Sequence, residues 1–296
     1  MSLKGCSLGL VLSLLLVGLL SCQTPQPTEI RETRIQDLKD LSQRMNAPVE
    51  LNENLIVIDT RSRFDYVMAH IPGSIHLTWE ELAQVRSSTP GKIQKEHGRL
   101  VRRLALLGLE PLSSVLILGK GLRGRGEEGR LAWTLYYLGL NKIQIGNIEL
   151  FARLMTNVES APKKNAENWE PNIRYSIDAS KDEVIAAARS GDSTVHLIDV
   201  RSSKEYFHKA GDGLNYSLPD LRAVNIEWRE FFQSDGRPQF QMRDKLRAIN
   251  IQLNDRIIVL SQKGVRSAAV TMALLSMGFK HAANYSGGYV ELVGSY

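Results

Sequence analysis

The feature that most constrains this chain is that it repeats itself. The stretch LIVIDTRSRFDYVMAH (Leu55–His70) aligns with VHLIDVRSSKEYFHKA (Val195–Ala210) at a constant offset of 140 positions. Asp59 falls on Asp199, Arg61 on Arg201, Ser62 on Ser202, Asp65 on Glu205 and Tyr66 on Tyr206. Further on, SIHLTWEEL (Ser74–Leu82) resembles AVNIEWREF (Ala223–Phe231), and Gly139 matches Gly278. Self-similarity in the same order at a nearly constant offset, with a longer insertion before Ala223 in the second copy, means that one structural unit occurs twice. A chain of 296 residues then divides into two domains of ordinary size, each long enough to bury a core.

Each unit alternates short apolar runs with helical patterns. In the first, the pattern predicts strands at Leu55–Ile58, Val115–Leu118 and Lys142–Ile145, with a short apolar stretch at Ile75–Leu77. Helices are expected over Ser62–His70, Trp79–Val85, Lys92–Leu107 and Gly129–Leu138. The second unit repeats this order from Thr194. Apolar strands separated by helices imply an α/β fold, a parallel sheet with helices on both faces, once per unit. The boundaries expected are 35–157 for the first domain and 173–296 for the second. Between them, the polar stretch 158–172 with Pro162 and Pro171 reads as a linker.

The chain begins with Lys4, an apolar run from Leu8 to Leu20, small Ser21 and then Cys22. That is the layout of an export signal, and the run is short of the roughly 20 residues a membrane span needs. Leu19-Leu20-Ser21-Cys22 resembles the lipobox of bacterial lipoproteins. The resemblance implies that residues 1–21 are removed and that Cys22 is acylated, placing the chain on the cell envelope. Cleavage leaving a free Cys22, or an uncleaved anchor, are the alternatives. Gln23 after the cysteine, rather than Asp, resembles lipoproteins of bacteria with an outer membrane, and the resemblance implies the periplasmic side of that membrane. Residues 22–34, with Pro25 and Pro27, read as an extended tether reaching at most ~40 Å. Cys6 and Cys22 are the two cysteines of the chain. The remainder can therefore build neither a disulfide framework nor a cysteine metal site.

The Asp-x-Arg after the first strand, the acidic-aromatic pair and AHIPGSIHL (Ala69–Leu77) together resemble the opening signature of the rhodanese family. The strand–loop–helix at Ile257–Gly278 and YSGG (Tyr285–Gly288) resemble its closing signature. The resemblance covers nearly everything after the tether, in two copies, as in the two-domain thiosulfate and mercaptopyruvate sulfurtransferases. It implies a sulfur-carrier loop that starts at a cysteine, ends at an arginine and opens onto a helix N-terminus. Backbone amides and the helix dipole make such a loop positive, which lowers a thiol's pKa and creates the attacking thiolate.

In this chain the loop is Ser261-Gln262-Lys263-Gly264-Val265-Arg266. Its length, Gly264 and Arg266 agree with the family, but Ser261 stands where the family has cysteine. A serine hydroxyl needs a base relay that no nearby residue supplies, and its oxygen cannot carry a persulfide. The expectation is an inactive sulfurtransferase fold, with Ser261, Gln262, Lys263, Gly264, Val265 and Arg266 as an anion-binding candidate. In the first copy Gly119 stands at the same point, followed by a longer loop. That loop contains Gly119-x-Gly121-x-x-Gly124, a dinucleotide-type pattern. The acidic ribose ligand expected after the next strand is missing there.

Asp59 and Arg61, and likewise Asp199 and Arg201, are expected to brace strand ends, and His70, Pro72 and Gly73 to shape a turn. The other histidines, His76, His97, His196, His208 and His281, have no metal-ligand spacing. Trp79 and Trp228 occupy matching places and are expected in the core or between domains. The formal charge is +5, but no nucleic-acid motif accompanies it. The functional expectation is a membrane-anchored module, held through Cys22, that binds a protein partner or a small oxyanion without cofactor or metal. The alternatives are enzymes: a sulfurtransferase supplied with a thiol from elsewhere, or a phosphatase-like enzyme using the second loop.

Overall fold

The computed structural model describes residues 27–84, 88–158, 165–207 and 219–294, with the backbone alone for 27–35. The export signal and Cys22 lie outside the described residues. So do His208 and part of the linker.

The first domain carries strands β1 (Leu55–Asp59), β2 (Ile75–His76), β3 (Ser114–Gly119) and β4 (Lys142–Asn147), all parallel, in the order β2-β1-β3-β4. The second repeats it with β5 (Val195–Asp199), β6 (Val224–Asn225), β7 (Arg256–Leu260) and β8 (His281–Asn284), in the order β6-β5-β7-β8. The near-continuous apolar runs of β3 and β7 explain why these strands are central, since a parallel sheet is covered on both faces. Their residues Val115–Leu118 and Ile257–Leu260 are fully buried.

The helices are α1 (Pro27–Asn46), α2 (Arg63–Met68), α3 (His97–Leu106) and α4 (Glu127–Leu138) in the first half of the chain. The second half has α5 (Lys181–Arg189), α6 (Ser203–Phe207), α7 (Met242–Ala248), α8 (Val265–Ser276) and α9 (Gly288–Val293). Three expectations change. Residues 27–34, read as tether, form the first turns of α1: Pro27 suits the first helical position and Glu29–Thr33 contains no breaker. The helix expected from Lys92 starts at His97, and Trp79–Val85 contracts to a single 3-10 turn, Trp79–Leu82.

The domains meet along α4 and α8. Both helices are buried almost all round, the mark of a helix with no solvent face. Gly129 lets them approach closely, since a Cβ there would overlap Ala269. The first helix, α1, packs on both α8 and β4. It is tied to the second domain by Ser42 Oγ, which donates to the Ser276 carbonyl at 2.7 Å. A second tie is Asp37, which accepts from Arg174 of the second half and also from Asn141 of its own domain. The core is thus continuous across the boundary between the domains.

Candidate functional site

In a parallel sheet of this order, ligands collect at the carboxyl ends of the strands where the order reverses. In the second domain that point lies between β5 and β7. Register pairs Asp199 with Leu260, so the chain leaves β7 into Ser261 directly beside the Asp199-x-Arg201 turn. In the first domain Asp59 pairs with Leu118, which makes Gly119 the positional equivalent of Ser261.

The two Asp-x-Arg turns are closed ion pairs. Asp199 accepts from Arg201 Nε at 3.0 Å and from Nη2 at 2.7 Å, both residues nearly inaccessible. The Arg201 guanidinium lies 4.0 Å from the Tyr289 ring centroid, and the Tyr289 hydroxyl donates to Asp199 at 3.0 Å. Asp59 and Arg61 make the same pair, and Arg61 also donates to the Ala69 carbonyl. His70 stacks on Tyr66, their centroids 4.4 Å apart. Ile71–Ser74 then form a turn with Pro72 at its second position and Gly73 at φ +74°, a conformation that favours glycine. All these side chains are spent on structure.

The loop after β7 is held from below. Ser261 is 1 % exposed, and its Oγ lies 2.9 Å from Ser267 Oγ. Ser267 in turn donates to Asn284 Oδ1 at 2.6 Å, and Asn284 Nδ2 donates to the Gly264 carbonyl at 3.2 Å. Gly264, at φ +71°, begins α8, and a Cβ there would overlap the Ser286 carbonyl. Among the described residues no protein group accepts from the amides of Gln262, Lys263, Gly264, Val265 or Arg266. These free donors sit at the positive end of a twelve-residue helix, an arrangement suited to an oxyanion.

Arg266, assigned to the ligand on sequence grounds, is already engaged. Its two terminal nitrogens donate to both Glu205 oxygens at 2.7 Å each. Burial works against the Glu205 charge, but the hydrogen bonds from Arg266 and Ser202 outweigh it and hold the carboxyl down at about 2. Glu205 also accepts from the Ser202 amide and hydroxyl at the start of α6. Sequence reasoning missed this partner, although the repeat contains a signal for it. Asp65, the counterpart of Glu205, pairs in the same way with Lys120 at 3.0 Å.

The loop faces a cleft of about 970 Å³ between the domains. Trp79 and Trp228, from matching positions, form part of its wall. Lys204 and Lys263 line it without a carboxylate partner among the described residues, while Arg229 is paired with Glu227. On the opposite wall stand Glu80, Arg125 and Glu127 from the first domain.

The corresponding place in the first domain is filled from within. Glu128, the second residue of α4 as Arg266 is of α8, is 4 % exposed and turns its carboxyl toward Gly119. Burial raises it to about 8, against the pull of the Glu128 and Gly121 amides. Two glycines of this dinucleotide-type loop, Gly119 and Gly121, therefore lie against a protein carboxyl, with Gly121 at φ +54° packed on Asn147. Among the described residues no cluster of His, Cys, Asp or Glu could hold a metal.

Comparison with known proteins agrees with this architecture. The rhodanese-like domain family matches residues 37–142 and again 180–295. SseA of Escherichia coli, a 3-mercaptopyruvate sulfotransferase, superposes with a TM-score of 0.66 at 19% identity, over 80% of this chain and 93% of SseA. A probable thiosulfate sulfurtransferase does so with a TM-score of 0.57 at 25% identity, over 81% and 94%. EanB in complex with hercynine gives 0.69 at 20% identity, over 84% of this chain and 65% of EanB. No curated protein sequence matches.

Proposed function

Since the chain belongs to the rhodanese-like domain family, in two tandem copies, we propose that it is an envelope-anchored, sulfur-transfer-incompetent member that binds a small oxyanion in the cleft between its domains. The observation that carries this reading is the head of the second loop. Ser261 is buried, hydrogen-bonded to Ser267 and followed by amides that lack acceptors among the described residues. The donors that would surround an anion are in place, while the atom that would carry sulfur is an oxygen. Downstream of Cys22 the sequence contains no cysteine, so within the chain no other thiol can take over.

The cationic contribution comes from Lys263 and Lys204 on the rim and from the dipole of α8, with Arg266 held in reserve by Glu205. An oxyanion such as sulfate or thiosulfate fits donors of this kind. Anchoring through Cys22 would present the cleft at a membrane surface, and several acyl chains at ~0.8 kcal/mol per buried CH₂ make such an anchor lasting.

The test is cyanide-dependent sulfur transfer from thiosulfate and from 3-mercaptopyruvate, together with the melting-temperature shift in sulfate. The native protein should give no turnover above buffer and a melting temperature that rises with sulfate. Native turnover would overturn the incompetent reading, and a melting temperature indifferent to sulfate would overturn the oxyanion.

A further inference from the structure

The Ser261–Arg266 loop belongs to the second domain, yet two contacts from the first domain reach its back. The first is Gly91. A Cβ at this position would overlap the carbonyl oxygens of both Lys263 and Ser286. The Ser286 carbonyl is equally close to Gly264, where a Cβ would also overlap it. Backbone from the first domain, the loop and the Tyr285–Gly288 turn are thus packed without room for one methyl group. The neighbouring Lys92 extends the contact by pairing with Glu291 of α9 at 2.5 Å.

The second contact is Arg130 on α4. This arginine is fully buried, an expensive place for a charge unless its donors are used. Its Nη2 donates to the Gly91 carbonyl at 2.5 Å and its Nη1 to the Gly264 carbonyl at 3.4 Å. The guanidinium is stacked against Trp133, 4.6 Å from the ring centroid, with Trp79 at 5.6 Å on another side. The charges facing it are Asp178 and Glu80. One planar fork therefore holds a carbonyl of each domain, and the second of these opens α8. Lysine could keep the charge but not the fork.

We propose that Gly91 and Arg130 are positioning residues of the first domain that set the curvature of the second domain's loop, so that the anion cradle is complete only when the two domains are docked. The inference rests on the oxyanion reading of that loop. It gives the first domain, whose own cradle is filled by Glu128, a role in the site. Arg130 touches no ligand in this scheme: it acts through the Gly264 carbonyl and the direction of the amides that follow.

A thiol placed in the cradle reports its field. Ser261→Cys in the full chain should have a thiol pKa at least one unit below the ordinary ~8.5. It can be measured from the pH dependence of iodoacetamide alkylation, localised to the peptide carrying position 261 by mass spectrometry. Adding Gly91→Ala or Arg130→Lys to that background should raise the thiol pKa by about one unit, while each protein still melts cooperatively. A low pKa in Ser261→Cys that neither second substitution moves would overturn the positioning role and leave the cradle standing. An ordinary pKa in Ser261→Cys itself would remove the cradle, and the proposal with it. Should the double variants fail to fold, amide hydrogen exchange on the native chain decides. Saturating sulfate should protect residues 262–266 and 90–93 together, and protection confined to 262–266 would overturn the proposal.

Discussion

The carboxyl of Glu128 occupies the space into which a side chain at Gly119 would project. Gly119 is the positional equivalent of Ser261, so the first domain keeps the shape of an anion cradle and fills it with its own acid. A helix N-terminus favours a carboxylate, but this one is sealed from water, and desolvation wins: the group is raised to about 8. At neutral pH it is held as a neutral acid.

That acid makes stability depend on pH in a direction unusual for a carboxyl. The folded state keeps the proton up to about pH 8, whereas the unfolded chain releases it near 4.5. Between these values the folded state binds more protons, so stability falls as pH rises, by at most ~1.4 kcal/mol per pH unit. Glu128→Gln removes this dependence. Its melting temperature relative to the native protein should be distinctly higher at pH 8 than at pH 5. Asp178, also raised by burial, to about 6, is present in both proteins and cancels. A difference that stays the same at the two pH values would contradict the assignment.

The Arg266–Glu205 pair has the opposite sign. Glu205 is held at about 2, so its stabilisation is fully present above the unfolded value near 4.5 and is lost as pH falls toward 2. The pair is only partly buried, and replacing Glu205 by Gln should cost about 1–3 kcal/mol at pH 7. The loss relative to the native protein should shrink as pH falls below 4. The same substitution frees Arg266 toward the cleft, so the rise in melting temperature at a fixed sulfate concentration should be larger in Glu205→Gln than in the native protein. An unchanged rise would mean that Arg266 does not reach the ligand even when released.

Ser267 carries the loop's internal support. It is fully buried and connects Ser261 Oγ with Asn284 Oδ1. Ser267→Ala strands both groups away from water, a loss of about 1–3 kcal/mol. Urea unfolding should show that loss in the midpoint with no change in slope, because the buried surface is unaltered. Ser267→Cys, which keeps a weak donor, should recover part of it.

The parallel strands and the braces could be read from the residues because they are local or repeated, whereas the strand order came from the structure. Apolar runs such as Val115–Leu118 mark buried parallel strands without reference to the rest of the chain. Asp59 and Arg61 are two residues apart, so their pairing needs no tertiary knowledge. Arg266–Glu205 joins residues 61 positions apart, and only the repeat, by aligning Glu205 with Asp65, hinted that an acid belongs there. Arg130 and Glu128 were invisible for a different reason. A charged residue in a helix is expected to face solvent, but α4 is covered on one side by the sheet of its own domain and on another by α8 of the second domain. Gly91 had no signal at all, since its importance is the absence of a methyl group at a contact between domains.

Anchoring is the last expectation open to measurement, and α1 changes its geometry. With α1 beginning at Pro27, only residues 23–26 separate Cys22 from ordered helix, a reach of roughly 14 Å when fully extended. The long tether read from the sequence is thereby shortened, and α1 carries the connection straight to the junction of the two domains through Ser42 and Asp37. If Cys22 is acylated, Cys22→Ala should move the protein from the membrane fraction to the soluble fraction after expression in a bacterium with an outer membrane. Its melting temperature should stay unchanged, because Cys22 lies before α1. Inserting a flexible ten-residue Gly/Ser segment after Gln23 should leave the protein membrane-bound and make its cleft more accessible to large probes. A Cys22→Ala protein still found with the membrane would assign retention to the apolar run from Leu8 to Leu20 instead.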